Sequence, residues 1–268
     1  RLMGGKDAAS ARYVFTKLET ITRVIFHPDD DPLLNYLQDD GQSIEPDYYA
    51  PVIPMALVNG SEGIGTGWST SIPTFNPRDI IANLKRLLVG EALQEMLPWF
   101  RGFTGETALK PGRESGSYIV SGHLEKLDDV TIRISELPVG KWTHDYKGFL
   151  ETMLPGQGED KDGFIKDFKE NHTDTDVLFT VTVVSAQKLA EAEAAPGGLW
   201  KKFKMDTTVS TTNMHMFETD EQITKFENVE QVINRFYEVR VGLYDRRKEY
   251  LIQKLQDEFD KLANKVRG

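Results

Sequence analysis

Arg12 and Tyr13 are the pair in this sequence whose side chains could carry out covalent chemistry on a phosphodiester. A phenolic hydroxyl, with an ordinary pKa of about 10, attacks phosphorus once a base or a metal helps remove its proton. The product is a tyrosyl phosphate ester. A neighbouring guanidinium suits the non-bridging oxygens, because it stays charged and presents a planar fork of donors. Most catalysis of phosphoryl transfer is positioning and electrostatic stabilisation, so a cation beside the nucleophile is the expected companion. An Arg-Tyr pair alone is also compatible with a purely structural tyrosine.

A second stretch of interest is Asn59-Gly60-Ser61-Glu62-Gly63-Ile64-Gly65-Thr66-Gly67-Trp68-Ser69. Four glycines within eight residues predict a loop with unusual backbone angles. Ile64, flanked by Gly63 and Gly65, either pins this loop to a core or projects from it. A phosphate-cradling P-loop is excluded, because no Lys follows the glycines as that motif requires. The five histidines, His27, His123, His144, His172 and His215, have no paired-ligand spacing, so a metal site is not expected. Asp29-Asp30-Asp31 reads as a solvated acidic loop in preference to a Mg²⁺ site. Lys201, Lys202 and Lys204, with Trp200 and Phe203, read as a basic edge strand in preference to a nucleic-acid contact.

The elements that must position these residues can be read from periodicity. Apolar residues at Tyr13, Val14, Leu18, Ile21, Val24 and Ile25 predict a helix over residues 13–26, stopped by His27-Pro28. Leu33, Leu34 and Leu37 suggest a short helix ended at Asp39-Asp40-Gly41. Residues 45–54, with three prolines, are expected to be extended. Asn76-Pro77-Arg78-Asp79 is a helix start, with Asn as cap, Pro at the first helical position and an acid in the first turn. Alternation predicts strands over 118–120, 130–134 and 177–183. Residues 143–154 read as a helix, 156–163 as a polar connection, and 185–195 as a helix capped by Ser185. From Val229 to Val266 only Gly242 interrupts helical spacing, and 38 residues would reach about 57 Å at a rise of 1.5 Å each. A helix that long wants a partner outside the segment, either another helix of the same protein or a second copy.

Bulk properties bound the function. The 268 residues have 39% hydrophobic and 28% charged composition, that of a folded globular protein. No apolar run approaches the roughly 20 residues that span a bilayer. With no cysteine, disulfides and thiolate metal sites are excluded. The opening Arg1-Leu2-Met3-Gly4-Gly5 is expected to lie in the middle of a longer protein. A net charge of −10 argues against phosphate contacts over the whole surface, though not against one basic face. Residues 1–24 hold five basic against two acidic side chains, whereas residues 25–50 hold seven acidic and no basic ones.

Residues 4–16, Gly-Gly-Lys-Asp-Ala-Ala-Ser-Ala-Arg-Tyr-Val-Phe-Thr, resemble the nucleophile segment of eukaryotic-type DNA topoisomerase II. Residues 45–69 resemble the same family at the expected distance downstream. The likeness continues through 132–142, 203–217 and Arg246-Arg247-Lys248, so it covers essentially the whole chain. Glu62-Gly63-Ile64-Gly65-Thr66-Gly67-Trp68-Ser69 has the eukaryotic form, shared with some viral enzymes, in preference to that of bacterial gyrase. Ala11 departs from the pattern, since many relatives have Pro before the Arg.

The resemblance implies a mixed α/β (α+β) chain. Residues 1–48 would be the C-terminal part of a winged-helix domain bearing the nucleophile, 49–228 a tower domain, and 229–268 the start of a coiled-coil helix. It implies that Tyr13, assisted by Arg12, forms a 5′-phosphotyrosyl link in a transient double-strand break through which a second duplex passes. Ile64 would insert between base pairs and bend the DNA, with Lys6, Gly63, Gly65 and Thr66 as further DNA contacts. An apolar wedge unstacks a step at a cost of a few kcal/mol, offset by wider wrapping of the bent duplex. Implied partners are double-stranded DNA and a second copy of the chain, with no membrane. Mg²⁺ and ATP would serve the full-length nuclear enzyme in chromosome segregation, bound outside this segment, which alone is expected to be inactive. Two other readings are a non-catalytic DNA-bending or scaffold module of the same fold, and a tyrosine recombinase. The recombinase would need several catalytic Arg and His residues that are not evident.

Overall fold

A computed structural model describes residues 1–267 as a mixed α/β chain with several small antiparallel sheets and one long helix near its C-terminus. The residues divide into two compact units that the chain enters twice each. One comprises Arg1–Phe15 and Leu97–Ser210; the other comprises Thr16–Met96 and the residues from Thr211 onward.

The first unit is built on two antiparallel sheets. Strands His123–Lys126, Thr131–Glu136, Phe179–Val183 and Ile165–Glu170 form one in that spatial order, with Val181 opposite Ile132 and Phe168. Strands Asp206–Ser210, Ser117–Ser121 and Glu106–Leu109 form the other. The predicted period-two alternation appears as burial alternating along Thr131–Glu136 and Phe179–Val183. Ile132, Ile134, Phe179 and Val181 meet Leu150 of the helix Thr143–Glu151 and Leu189 of the helix Ala186–Ala194 in one core. Ser185 caps the latter helix by accepting from the Lys188 N–H at 3.2 Å, as its sequence position predicted.

In the second unit the helix Pro77–Leu88 begins at Asn76, whose side chain accepts from the Arg78 N–H at 3.0 Å. It packs Ile80 against Leu57, Phe75, Met214 and Ile233. Ile233 belongs to the helix Val229–Arg267, which runs 39 residues, about 58 Å at 1.5 Å per residue. Its first part is buried through Val232, Ile233, Arg240 and Leu243, whereas Leu251, Leu255, Phe259 and Leu262 further along are exposed. Among the described residues no helix is long and apolar enough to cross a membrane.

Four local expectations are corrected. Residues 13–26 form no continuous helix, only a 3-10 turn at Ala11–Tyr13 and a short helix at Thr22–Ile25. Most of the stripe, including Tyr13, Leu18, Ile21 and Val24, lies exposed. An amphipathic helix owes its stability chiefly to burial of its apolar face, and here that face covers nothing. Leu33 closes a 3-10 helix, Pro28–Leu33, and the chain then pairs Tyr36–Asp39 with Gln42–Pro46 where a helix was expected. The glycine-rich stretch is a β-hairpin, Ser61–Ile64 with Ser69–Ile72, in place of a loop. Lys201 and Lys202 sit in a short helix, Gly198–Lys202, not on an edge strand.

The acidic loop also differs from expectation. Asp30 is 4% exposed, with Oδ2 accepting from Arg240 Nη2 at 2.7 Å and Oδ1 accepting from Arg247 Nη2 at 2.7 Å. This buried carboxylate ties the 3-10 helix to the long helix, so only Asp29 and Asp31 of the three are surface residues.

Candidate functional site

The N-terminal segment of the first unit is fastened at Arg1, which pairs with the buried carboxylate of Glu136, and at its carbonyl, which accepts from the Thr143 N–H at 3.1 Å. Gly4, at φ +64°, passes directly over the Trp142 indole, where a Cβ would overlap the ring. The backbone can cross there only because the residue lacks a side chain. Lys6 follows, its Nζ 2.8 Å from Asp145 with both side chains more than half exposed. Such exposed pairs are weak and exchangeable, so Lys6 remains free to trade Asp145 for another anion.

Ser10 then opens the 3-10 turn, its carbonyl accepting from the Tyr13 N–H at 3.0 Å. The Tyr13 side chain is 72% exposed. Arg12 lies with its guanidinium carbon 4.8 Å from the Tyr13 ring centroid. A guanidinium stacked on an aromatic face is held by the ring quadrupole. Nucleophile and cation are thereby kept together at the surface, open to a macromolecular substrate.

In the second unit the hairpin ends in the loop Gly65-Thr66-Gly67-Trp68, closed by the Gly65 N–H donating to the Trp68 carbonyl at 2.7 Å. Ile64 is the last paired residue before the loop and is 93% exposed. The expected unusual backbone angles occur at only two of the four glycines, Gly60 (φ +66°) and Gly67 (φ +79°). At Gly63 a Cβ would meet nothing within 4 Å, and at Gly65 only ordinary contact. The chain's own conformation and packing therefore give no reason for glycine on either side of Ile64. Close approach of another molecule is the remaining physical reason.

A family model described as the DNA gyrase/topoisomerase IV A-type subunit matches residues 1–267. The chain belongs to that family. Within it the chain is similar to eukaryotic DNA topoisomerase 2: 48% identical to that of Pisum sativum over 99% of this chain, and 42% identical to that of Saccharomyces cerevisiae over 100%. The chain spans 18% of the length of each. A crystal structure of the Plasmodium falciparum topoisomerase II DNA-binding, cleavage and re-ligation domain superposes with a TM-score of 0.86 at 44% identity, covering 96% of this chain and 34% of that one. These likenesses bear out the eukaryotic topoisomerase II reading of Glu62–Ser69 and of the fold class.

Among the described residues of this topoisomerase II segment, no group of three or more His, Asp and Glu side chains could hold a metal ion. The residues present therefore do not by themselves fit Mg²⁺. Sequence reasoning did not find the support beneath the hairpin. His215, on the strand Met214–Phe217, has its ring 5.2 Å from that of Trp68, and its N–H donates to Thr70 Oγ1 at 3.0 Å. Nor did it find Lys141 and Lys204, which flank a cavity of about 220 Å³ over Tyr146 and Phe149. Burial, and then the Lys204 charge, push the Lys141 ammonium below the ordinary lysine range. Thr70 and His215 are 145 residues apart in sequence, and no local pattern signals such a contact.

Proposed function

We propose that this chain supplies the nucleophile-bearing part of the breakage and reunion machinery of a type II DNA topoisomerase. The observation that carries this reading is the exposed Tyr13 phenol under the Arg12 guanidinium, in a chain of the topoisomerase II family. Tyr13 Oη forms a bond to a backbone phosphorus while the bond from that phosphorus to the 3′ oxygen breaks. The phenolic proton leaves to a base, and the departing 3′ oxygen takes up a proton. Arg12 lies against the forming ester and neutralises its non-bridging oxygens. Attack by the 3′ hydroxyl on the tyrosyl ester reverses each step, so rejoining needs no further energy source.

On this reading residues 1–48 end a winged-helix domain, 49–228 form a tower, and 229–268 begin a coiled coil between two copies, each cutting one strand of the duplex. Ile64 wedges between base pairs, with Gly63, Gly65 and Thr66 letting the backbone come close and Lys6 contacting phosphate. Inserting the exposed Ile64 buries apolar surface worth about 1.5–3 kcal/mol, which offsets part of the unstacking. Mg²⁺, ATP and a nuclear location belong to the intact enzyme.

The decisive experiment is Tyr13→Phe in the intact topoisomerase carrying this chain, assayed for covalent protein–DNA adducts after denaturation. The expected result is complete loss of adducts with duplex bending retained. Adducts that persist refute Tyr13 as the nucleophile. A wild-type enzyme that bends DNA but forms no adduct with Mg²⁺ supports the non-catalytic bending module instead.

A further inference from the structure

We propose that Trp68 and His215 are positioning residues for Ile64, together forming a brace that fixes the angle at which the hairpin tip meets the duplex. The inference rests on the reading of Ile64 as a wedge. Two paired strands of four residues are marginal by themselves, and Ser61–Ile64 is exposed along its whole length. A wedge on an unsupported hairpin would fold aside when pressed against stacked bases.

The support comes from one side and at four consecutive residues. The Ser71 N–H donates to the Asn213 carbonyl at 2.8 Å, and the His215 N–H donates to Thr70 Oγ1 at 3.0 Å. Asn213 Nδ2 donates to Ser69 Oγ at 3.0 Å, and the Trp68 and His215 rings lie 5.2 Å apart at 58°. Met214, between the two supporting residues, is fully buried in the core with Leu57 and Phe75. The brace therefore starts from a fixed point.

Its far end reaches the wedge through the backbone. The Trp68 carbonyl accepts from the Gly65 N–H at 2.7 Å, and Gly65 follows Ile64 directly. Gly63 and Gly65 contribute no side-chain stiffness of their own, so the orientation of Ile64 depends on where Trp68 is held. The His215 ring is not kept for hydrogen bonding through Nδ1, since that nitrogen is buried with no partner among the described residues. A buried polar atom left unpaired in a native structure calls for an explanation. Contact of the ring with Trp68 supplies it.

The test uses the intact topoisomerase carrying this chain and a short duplex labelled at both ends, with bending read by energy transfer and affinity read separately. Ile64→Ala sets the scale: loss of the wedge is expected to lower the bent-to-straight ratio about tenfold, the worth of one buried aliphatic side chain. His215→Ala and Trp68→Ala are expected to fall most of the way to that level with melting temperature unchanged. His215→Phe, which keeps a ring and loses no Nδ1 bond, is expected to restore bending to within about twofold of the parent. Rescue by Phe is the outcome that a general loss of folding would not produce. If Ile64→Ala abolishes bending while Trp68→Ala and His215→Ala leave it intact, the brace is wrong and the wedge stands. If Ile64→Ala itself leaves bending intact, the wedge falls and the brace with it.

Discussion

Asp30→Ala should be the most damaging single substitution in the unit that carries the long helix. It removes the acceptor of three charge-assisted hydrogen bonds: Arg240 Nη2 at 2.7 Å, Arg247 Nη2 at 2.7 Å and Arg247 Nε at 3.1 Å. The two cations left behind differ. The Arg247 side chain is 17% exposed and can turn toward water, whereas Arg240 is 5% exposed. Arg240 would keep only its bond to the Ala50 carbonyl at 3.1 Å and its stacking over Tyr244. Removing one partner of a buried pair costs about 3–5 kcal/mol, because the other charge stays desolvated. Against a total stability of about 5–15 kcal/mol that is a large fraction.

The assay is urea unfolding followed by helical circular dichroism, to which the 39-residue helix is the largest single contributor. Asp30→Ala should lose about 3–5 kcal/mol, and Arg240→Met should lose less, because Asp30 keeps Arg247. The double variant should be more stable than Asp30→Ala alone, with a coupling of about 2 kcal/mol or more. A loss below about 1 kcal/mol for Asp30→Ala, or additivity of the two changes, would refute a buried pair that holds the helix.

Two further expectations concern the unit that carries Tyr13. Gly4→Ala should lower its melting temperature well below that of Gly5→Ala, because both sites have positive φ but only the Gly4 Cβ meets the Trp142 ring. In the intact enzyme Gly4→Ala should also slow adduct formation at Tyr13, and equal effects of the two variants would refute the close crossing. Lys141→Met should stabilise the unit at neutral pH. With its folded pKa lowered first by burial and then by Lys204, Lys141 binds its proton less tightly folded than unfolded, so the charged form opposes folding below the folded pKa. That penalty shrinks as pH rises toward the ordinary value of 10.5, so the advantage of Met should narrow in alkaline melts; a constant difference would show that only packing had changed.

Much was determined by the sequence alone because it depends on neighbours along the chain. Asn76 and Ser185 cap the helices they precede, since a cap needs only a side-chain oxygen two or three residues ahead of a free N–H. The strand at 130–134 and the long helix from Val229 followed from periodicities of two and of 3.6. Tyr13 and Ile64 were conspicuous for the same local reason, an Arg beside a phenol and glycines beside an isoleucine.

Tertiary structure decided whatever needed a distant partner. Residues 13–26 have the spacing of a helix, yet periodicity states only which face would be buried and not whether a surface exists to bury it. Asp29-Asp30-Asp31 looks like one solvated run, but Asp30 lies inside because Arg240, 210 residues away, is folded against it. His215 beneath Trp68, and Lys141 against Lys204, have the same origin. Their chemistry comes from desolvation and through-space charge, which depend on three-dimensional distance and leave no mark on the order of residues.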